Sequence, residues 1–77
     1  MEIKILGTGC PKCQRLHQNV MEAVKELNIN ADVSKIEDIM EIMQYGVAST
    51  PALVIDGKVA MKGRLATINE IKELLTA

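Results

Sequence analysis

The sequence predicts an α/β domain with the element order βαβαββα and a four-stranded mixed sheet flanked by helices. Three observations carry this reading: a strand-like, helix-like, strand-like succession near the start, an unbroken apolar run ending in Asp56-Gly57, and a capped amphipathic segment at the end. In residues 2–6, Ile3 and Ile5 alternate with Lys4 and Leu6, the period of a short strand. Gly7-Thr8-Gly9 breaks it. From Pro11 to Leu27 the apolar residues Leu16, Val20, Ala23, Val24 and Leu27 recur at helical spacing, with Gln14, Arg15, Gln18, Glu22, Lys25 and Glu26 on the other side. Pro11 suits the first helical position, where a missing N–H costs nothing. Ala31, Val33 and Ile36, set among Asp32, Ser34 and Lys35, make a weaker second strand, polar enough for a sheet edge. Such a strand–helix–strand unit is normally parallel, with a right-handed crossover.

Glu37 and Asp38 precede Ile39, Met40, Ile42 and Met43, a short helix with acids at its positive end and Gly46 as its stop. The run Ala52-Leu53-Val54-Ile55 has the continuous apolar character of a strand covered on both faces. Asp56-Gly57 is a strong two-residue hairpin signal, so residues 58–62 should return antiparallel beside that run. Thr67 with Glu70 forms a capping box, Ala66 and Ile71 can staple it, and Ile68, Ile71, Leu74 and Leu75 stripe the final helix. The five methionines, Met40 and Met43 among them, are expected to fill core space. No repeat or linker interrupts the pattern, so residues 1–77 are expected to form a single domain.

A chain of 77 residues can bury about 60% of its unfolded surface, enough for a small core. Tyr45 is the one aromatic residue, so that core must be aliphatic. Nine basic against ten acidic residues leave a net charge of −1, which argues against nucleic acid or an anionic membrane as partner. The apolar run in Met1–Leu6 is too short for a signal peptide or a membrane span. A cytoplasmic monomer is the expectation.

Cys10 and Cys13 are the informative residues. A loop closed over two residues removes little chain entropy, so a working dithiol or half of a metal site is a better reading than a structural clip. At about 100° per residue, Cys13 falls within about 40° of Val20, Val24 and Leu27, in the middle of the core-facing stripe. Cys10 stands one turn earlier, at the helix cap and beside a glycine-rich loop, where its sulfur can face solvent. Dithiol exchange needs this asymmetry: an accessible thiolate to attack and a shielded thiol to resolve the mixed disulfide. The helix start favours the thiolate of Cys10, with Pro11 and Lys12 as the residues that tune it, Lys12 through its charge.

A strand, then Cys10-Pro11-Lys12-Cys13 opening a helix, then Thr50-Pro51 just ahead of a buried strand, resembles the active-site plan of the thioredoxin-like superfamily. Essentially the whole chain looks like the minimal thioredoxin- or glutaredoxin-like proteins of archaea and anaerobic bacteria. The resemblance implies a thioredoxin-like fold, with two helices on one face of the sheet and one on the other. It implies that Cys10 is the nucleophile, that Cys13 is the resolving thiol, and that Pro51 is a cis proline packed against the disulfide. Thr50 would offer backbone groups to a substrate chain. The implied partners are target protein disulfides and a thioredoxin-type reductase as electron donor, with no organic cofactor on the chain.

The chain also departs from larger relatives. Gly9 rather than Trp precedes Cys10, Pro-Lys lies between the thiols, and Gly63-Arg64 lacks the second Gly and the acid of a glutathione-holding turn. No carboxylate falls within an apolar strand, so the buried acid that thioredoxins use as a proton relay has no candidate. Lys62 and Arg64 read as solvating a sheet edge. The apolar loop Tyr45–Ser49 reads equally as a docking surface and as simple packing. An alternative function uses the same two sulfurs as ligands of a soft-metal (Cu or Zn) carrier, with His17 as a further candidate ligand. Thr8, where copper-chaperone-like domains carry Met, and the helical end of the chain count against it.

Overall fold

In the computed structural model, which describes residues 1–76, the elements run β1 (Glu2–Leu6), α1 (Pro11–Leu27), β2 (Asp32–Ile36), α2 (Ile39–Gln44), β3 (Ala52–Ile55), β4 (Lys58–Lys62) and α3 (Ile68–Thr76). The strands form one sheet in the order β2-β1-β3-β4. β1 and β2 are parallel across the α1 crossover, while β3 runs antiparallel to both β1 and β4. This is the expected βαβαββα layout, with its polar second strand at one edge.

Alternation along the two central strands sorts their side chains onto two faces, so a single sheet builds two cores. Ile3, Ile5 and Leu53 point to one side and pack with Leu16, Val20 and Ala23 of α1 and with Ile71 and Leu75 of α3. Leu6, Ala52 and Val54 point to the other side, where Ile42 of α2 and Val47 close over them. β1 and β3 are therefore covered on both faces, which is why Ala52–Ile55 reads as an unbroken apolar run. Lys4, on the α2 side of β1, donates from Nζ to the Tyr45 hydroxyl at 3.0 Å and pairs with Glu2 on the same face at 3.3 Å.

The turns use the residues their geometry demands. Asp56 and Gly57 both take positive φ, 50° and 83°, the signature of a two-residue primed hairpin turn. In β4 the pairing jumps from Leu53↔Met61 to Val54↔Val59, so Ala60 is the extra residue of a bulge in this edge strand. α1 ends on Asn28 in the left-handed region and α2 is followed by Gly46 at φ 74°. Asn19 Nδ2 donates to the Ala66 carbonyl at 2.9 Å, tying α1 to the segment that leads into α3.

The methionine expectation is overturned. Met40 and Met43 are 66% and 64% exposed, Met1 and Met21 are exposed as well, and of the five only Met61 packs against the main core. α2 has only six residues and buries Ile42 alone. At about 100° per residue, Met43 is turned about 100° from Ile42 and Met40 about 160°, so neither can reach the sheet.

The capping box at α3 forms as expected: the Thr67 hydroxyl accepts from Glu70 N at 3.1 Å and Glu70 Oε1 accepts from Thr67 N at 3.2 Å. Arg64 adds a bidentate pair with the same carboxylate, including Nη1 to Oε1 at 3.0 Å. The Arg64 guanidinium and then the Thr67 N–H hold Glu70 down to about 2. A depressed carboxylate contributes stability above its unfolded value, about 4.3, and loses it as the pH falls through its folded value. Glu70→Gln, which keeps an acceptor for Thr67, should therefore melt below wild type at neutral pH. The gap should close between about 4.3 and about 2, as followed by circular dichroism. A gap that stays constant to the acid end would show that the charge of Glu70 is not the source.

Candidate active site

β1 stops at Leu6, but the ladder continues one step, with Gly7 N donating to Ile36 O at 2.9 Å. Thr8 and Gly9 then turn the chain, Gly9 at φ 89°, into an extended Cys10 that caps α1. Pro11 occupies the first turn, where no N–H is required. Cys10 Sγ accepts from Cys13 N at 3.3 Å, filling with sulfur the role that Ser or Asp oxygen plays at other helix starts. Gln14 secures the turn from inside the helix, its Nε2 donating to Gly9 O at 3.2 Å and its backbone N to Cys10 O at 3.0 Å.

One turn of helix separates two different environments. Cys10 is half-buried, whereas Cys13 is 5% exposed and lies on the same stripe as Leu16 and Val20. Cys13 packs on the backbone of Gly7 so closely that a Cβ there would overlap Sγ and stand 2.9 Å from the cysteine's own Cβ. The two thiols are pushed in opposite directions. The Cys13 thiol and then the Cys13 backbone N–H stabilise the Cys10 anion and lower its pKa below the ordinary thiol value, with burial opposing them. Burial first, and then its hydrogen bond to Cys10, push the Cys13 thiol up. Lys12 is exposed and acts on Cys10 through its backbone N–H.

The remaining sequence candidates divide. The Leu6↔Ala52 pairing brings the Thr50–Pro51 segment to the end of β1 from which Gly7–Gly9 leads to Cys10. The Thr50–Pro51 peptide is cis; Thr50 is exposed and Pro51 is buried, with its carbonyl accepting from Gly63 N at 3.0 Å. His17 is half-buried, and desolvation, then the charge of Lys35, lower its pKa. Among the described residues no three His, Cys, Asp or Glu side chains converge as metal ligands. Lys62 is exposed on the edge strand, and Arg64 is engaged with Glu70.

Two features escaped sequence reasoning. An apolar groove of about 440 Å³ runs between Thr8, Ile39, Ile42, Met43, Val47 and Thr50. The exposed face of α2 forms its wall, and the loop Tyr45–Ser49 splits: Val47 enters the second core with Tyr45 packed beside it, while Ala48 lines the groove. The other feature is Gly7 itself, read from sequence only as a strand breaker although its missing side chain makes room for Cys13.

These contacts give two expected outcomes. Gly7→Ala should destabilise the reduced protein by roughly 1–3 kcal/mol, the cost of overpacking a tight site, measurable by urea unfolding, because neither the short Cys13 side chain nor the paired Gly7 backbone can yield freely. Alkylation by iodoacetamide, followed by mass spectrometry against pH, should label Cys10 with a midpoint below the ordinary thiol value and leave Cys13 unlabelled at neutral pH. Cys13→Ala should raise that midpoint, since the Cys13 thiol is the largest cause of the depression.

Comparison with known proteins agrees with this geometry. A family model described as a thioredoxin domain matches residues 1–76. A protein named thioredoxin from Methanothermobacter thermautotrophicus is 45% identical over 76 residues, covering 99% of each chain. Another thioredoxin, from Methanocaldococcus jannaschii, is 42% identical over 73 residues, covering 95% of this chain and 84% of its own. With the fold, the cysteine pair at a helix start and these matches over nearly the whole chain in agreement, the chain belongs to the thioredoxin family.

Proposed function

We propose that the protein is a thiol–disulfide oxidoreductase that uses Cys10 and Cys13 to reduce disulfides of target proteins. The observation that carries this reading is the opposite bias of two thiols on one helical turn, one reachable and inclined to ionise, the other buried and held protonated. The Cys10 thiolate attacks a target disulfide, forms a mixed disulfide and expels the first target thiolate. Cys13 then attacks Cys10 Sγ, closing the intramolecular disulfide and releasing the second target thiol. A thioredoxin-type reductase returns two electrons and two protons to the pair.

The residues around the pair fit supporting roles. The backbone N–H groups at the start of α1 stabilise the thiolate, with Pro11 setting the first helical position and Lys12 supplying an N–H. Thr50, exposed on the wall of the apolar groove, would offer backbone to an extended target segment, and Pro51 would pack beside the pair. The apolar groove between Thr8, α2 and Thr50 gives that segment a surface to lie on. Residues 1–77 act as one unit in this scheme, without an organic cofactor.

Insulin reduction monitored by turbidity tests the assignment of roles. Cys10→Ser should abolish the activity, and Cys13→Ser should accumulate a covalent adduct with the target that dithiothreitol releases. Equal tolerance of the two substitutions would overturn the roles. Stoichiometric copper or zinc bound to freshly purified protein, shielding both thiols from alkylation, would replace exchange by metal carriage.

A further inference from the structure

Gln14 is exposed near the start of α1, yet it reaches back to the loop that delivers Cys10. Its side-chain Nε2 donates to Gly9 O at 3.2 Å, and its backbone N donates to Cys10 O at 3.0 Å. The partner in the first bond is a carbonyl, which only accepts, so the amide must present its nitrogen there. The backbone bond belongs to the helical ladder, and any residue but proline would supply it. The side-chain bond is particular to this residue, and among the described residues no other side chain bonds to residues 7–9.

These two bonds grip the peptide units on either side of the Cys10 Cα. Gly9 O lies in the same rigid plane as Cys10 N, so holding it restrains rotation about N–Cα, and holding Cys10 O restrains rotation about Cα–C. Together they set Cys10 at φ −67° and ψ 162°, the extended conformation from which Sγ accepts from Cys13 N at 3.3 Å. Without the side-chain bond the preceding plane would hang on Gly9, at φ 89°, a residue type whose backbone turns freely to either sign of φ. Hydrogen bonds weaken steeply as they bend, so a turn of that plane would carry Sγ off the Cys13 donors that lower the Cys10 pKa.

We propose that Gln14 is a positioning residue for the cysteine pair: its side-chain amide, bound to Gly9 O, holds the peptide plane ahead of Cys10 and keeps the attacking sulfur over Cys13 N. This rests on the exchange function proposed above and concerns its first step. There the Cys10 thiolate attacks one sulfur of the target disulfide, a new S–S bond forms, the target S–S bond breaks, and the electron pair leaves on the released target thiolate. Gln14 takes no part in making or breaking these bonds. It sets how much of Cys10 is thiolate when a target arrives.

The rate of Cys10 alkylation by iodoacetamide across pH, read by mass spectrometry, tests this with a reagent that needs no disulfide. Gln14→Met keeps the length and helix preference of the side chain and removes the donor. Below the wild-type midpoint the variant should hold about threefold less thiolate, the scale of one exposed hydrogen bond. Because intrinsic reactivity rises with pKa at a slope of about 0.4–0.5, labelling there should slow about twofold. Above the midpoint, where thiolate no longer limits the rate, the same variant should label faster than wild type, so the two profiles cross. A merely structural defect would slow labelling at every pH. Gln18→Met, the same change one turn further along the exposed face, should superimpose on wild type. Coincident profiles for Gln14→Met and wild type, parallel slowing without a crossing, or an equal crossing in Gln18→Met would each overturn the inference. Wild-type protein that reduces no insulin would instead overturn the exchange reading, and the alkylation profile would still decide the role of Gln14 at Cys10.

Discussion

The contact between Cys13 and the backbone of Gly7 is the constraint on which the site depends. It fixes the start of α1 against the end of β1 and leaves no depth for a side chain on the strand side. With Cys13 seated, helical geometry leaves Cys10 one turn back, at the cap and in reach of solvent. The two environments are thus one packing decision seen at its two ends. Burial raises the Cys13 thiol, and that protonated thiol then serves as the hydrogen-bond donor that lowers Cys10. Loosening the Gly7 contact would weaken both effects together.

The sheet supports this arrangement by having two cores rather than one. Ile3, Ile5 and Leu53 anchor α1 and α3, whereas Leu6, Ala52 and Val54 anchor α2 and Val47. Because the strand period is two, the same β1 that seats α1 also presents Leu6 to the other layer. A one-residue slip of β1 against β3 would exchange these faces and carry Gly7 away from Cys13. The surface ion pair Lys72–Glu26 between α1 and α3 is exposed and screened, so apolar packing, with the Asn19 bond to Ala66, holds these helices.

Much of this was legible in the sequence because it rests on local signals. Alternation in residues 2–6, the stripe of α1, the Asp56-Gly57 turn and the Thr67–Glu70 box each encode their element over a few residues, and the structure uses all of them. The burial of Cys13 followed from the same stripe. What the sequence hid depends on which pieces meet in space. Met40 and Met43 match a helical core pattern, yet a six-residue helix with one buried residue turns them outward. Gly7 reads as a breaker until Cys13 is seen against it. Glu37 reads as an acid at a helix start, and its nearness to the cysteine loop arises from the parallel pairing of β2 with β1, a contact between distant parts of the chain.

The hydrogen bonds at Cys10 also bear on how strongly the pair can drive electrons. They stabilise the anion, so they raise the thiolate fraction available for attack and favour the reduced protein over its disulfide. The same stabilisation makes the sulfur a weaker nucleophile, since intrinsic reactivity falls with pKa with a slope of about 0.4–0.5. A depression carried far below the ambient pH gains no further thiolate and only loses reactivity. The donors here are a neutral thiol and backbone N–H groups, with no buried cation among the described residues. Cys13 is coupled to this balance because it must donate while protonated and attack once deprotonated. Its burial therefore favours waiting in the thiol form until the mixed disulfide has formed.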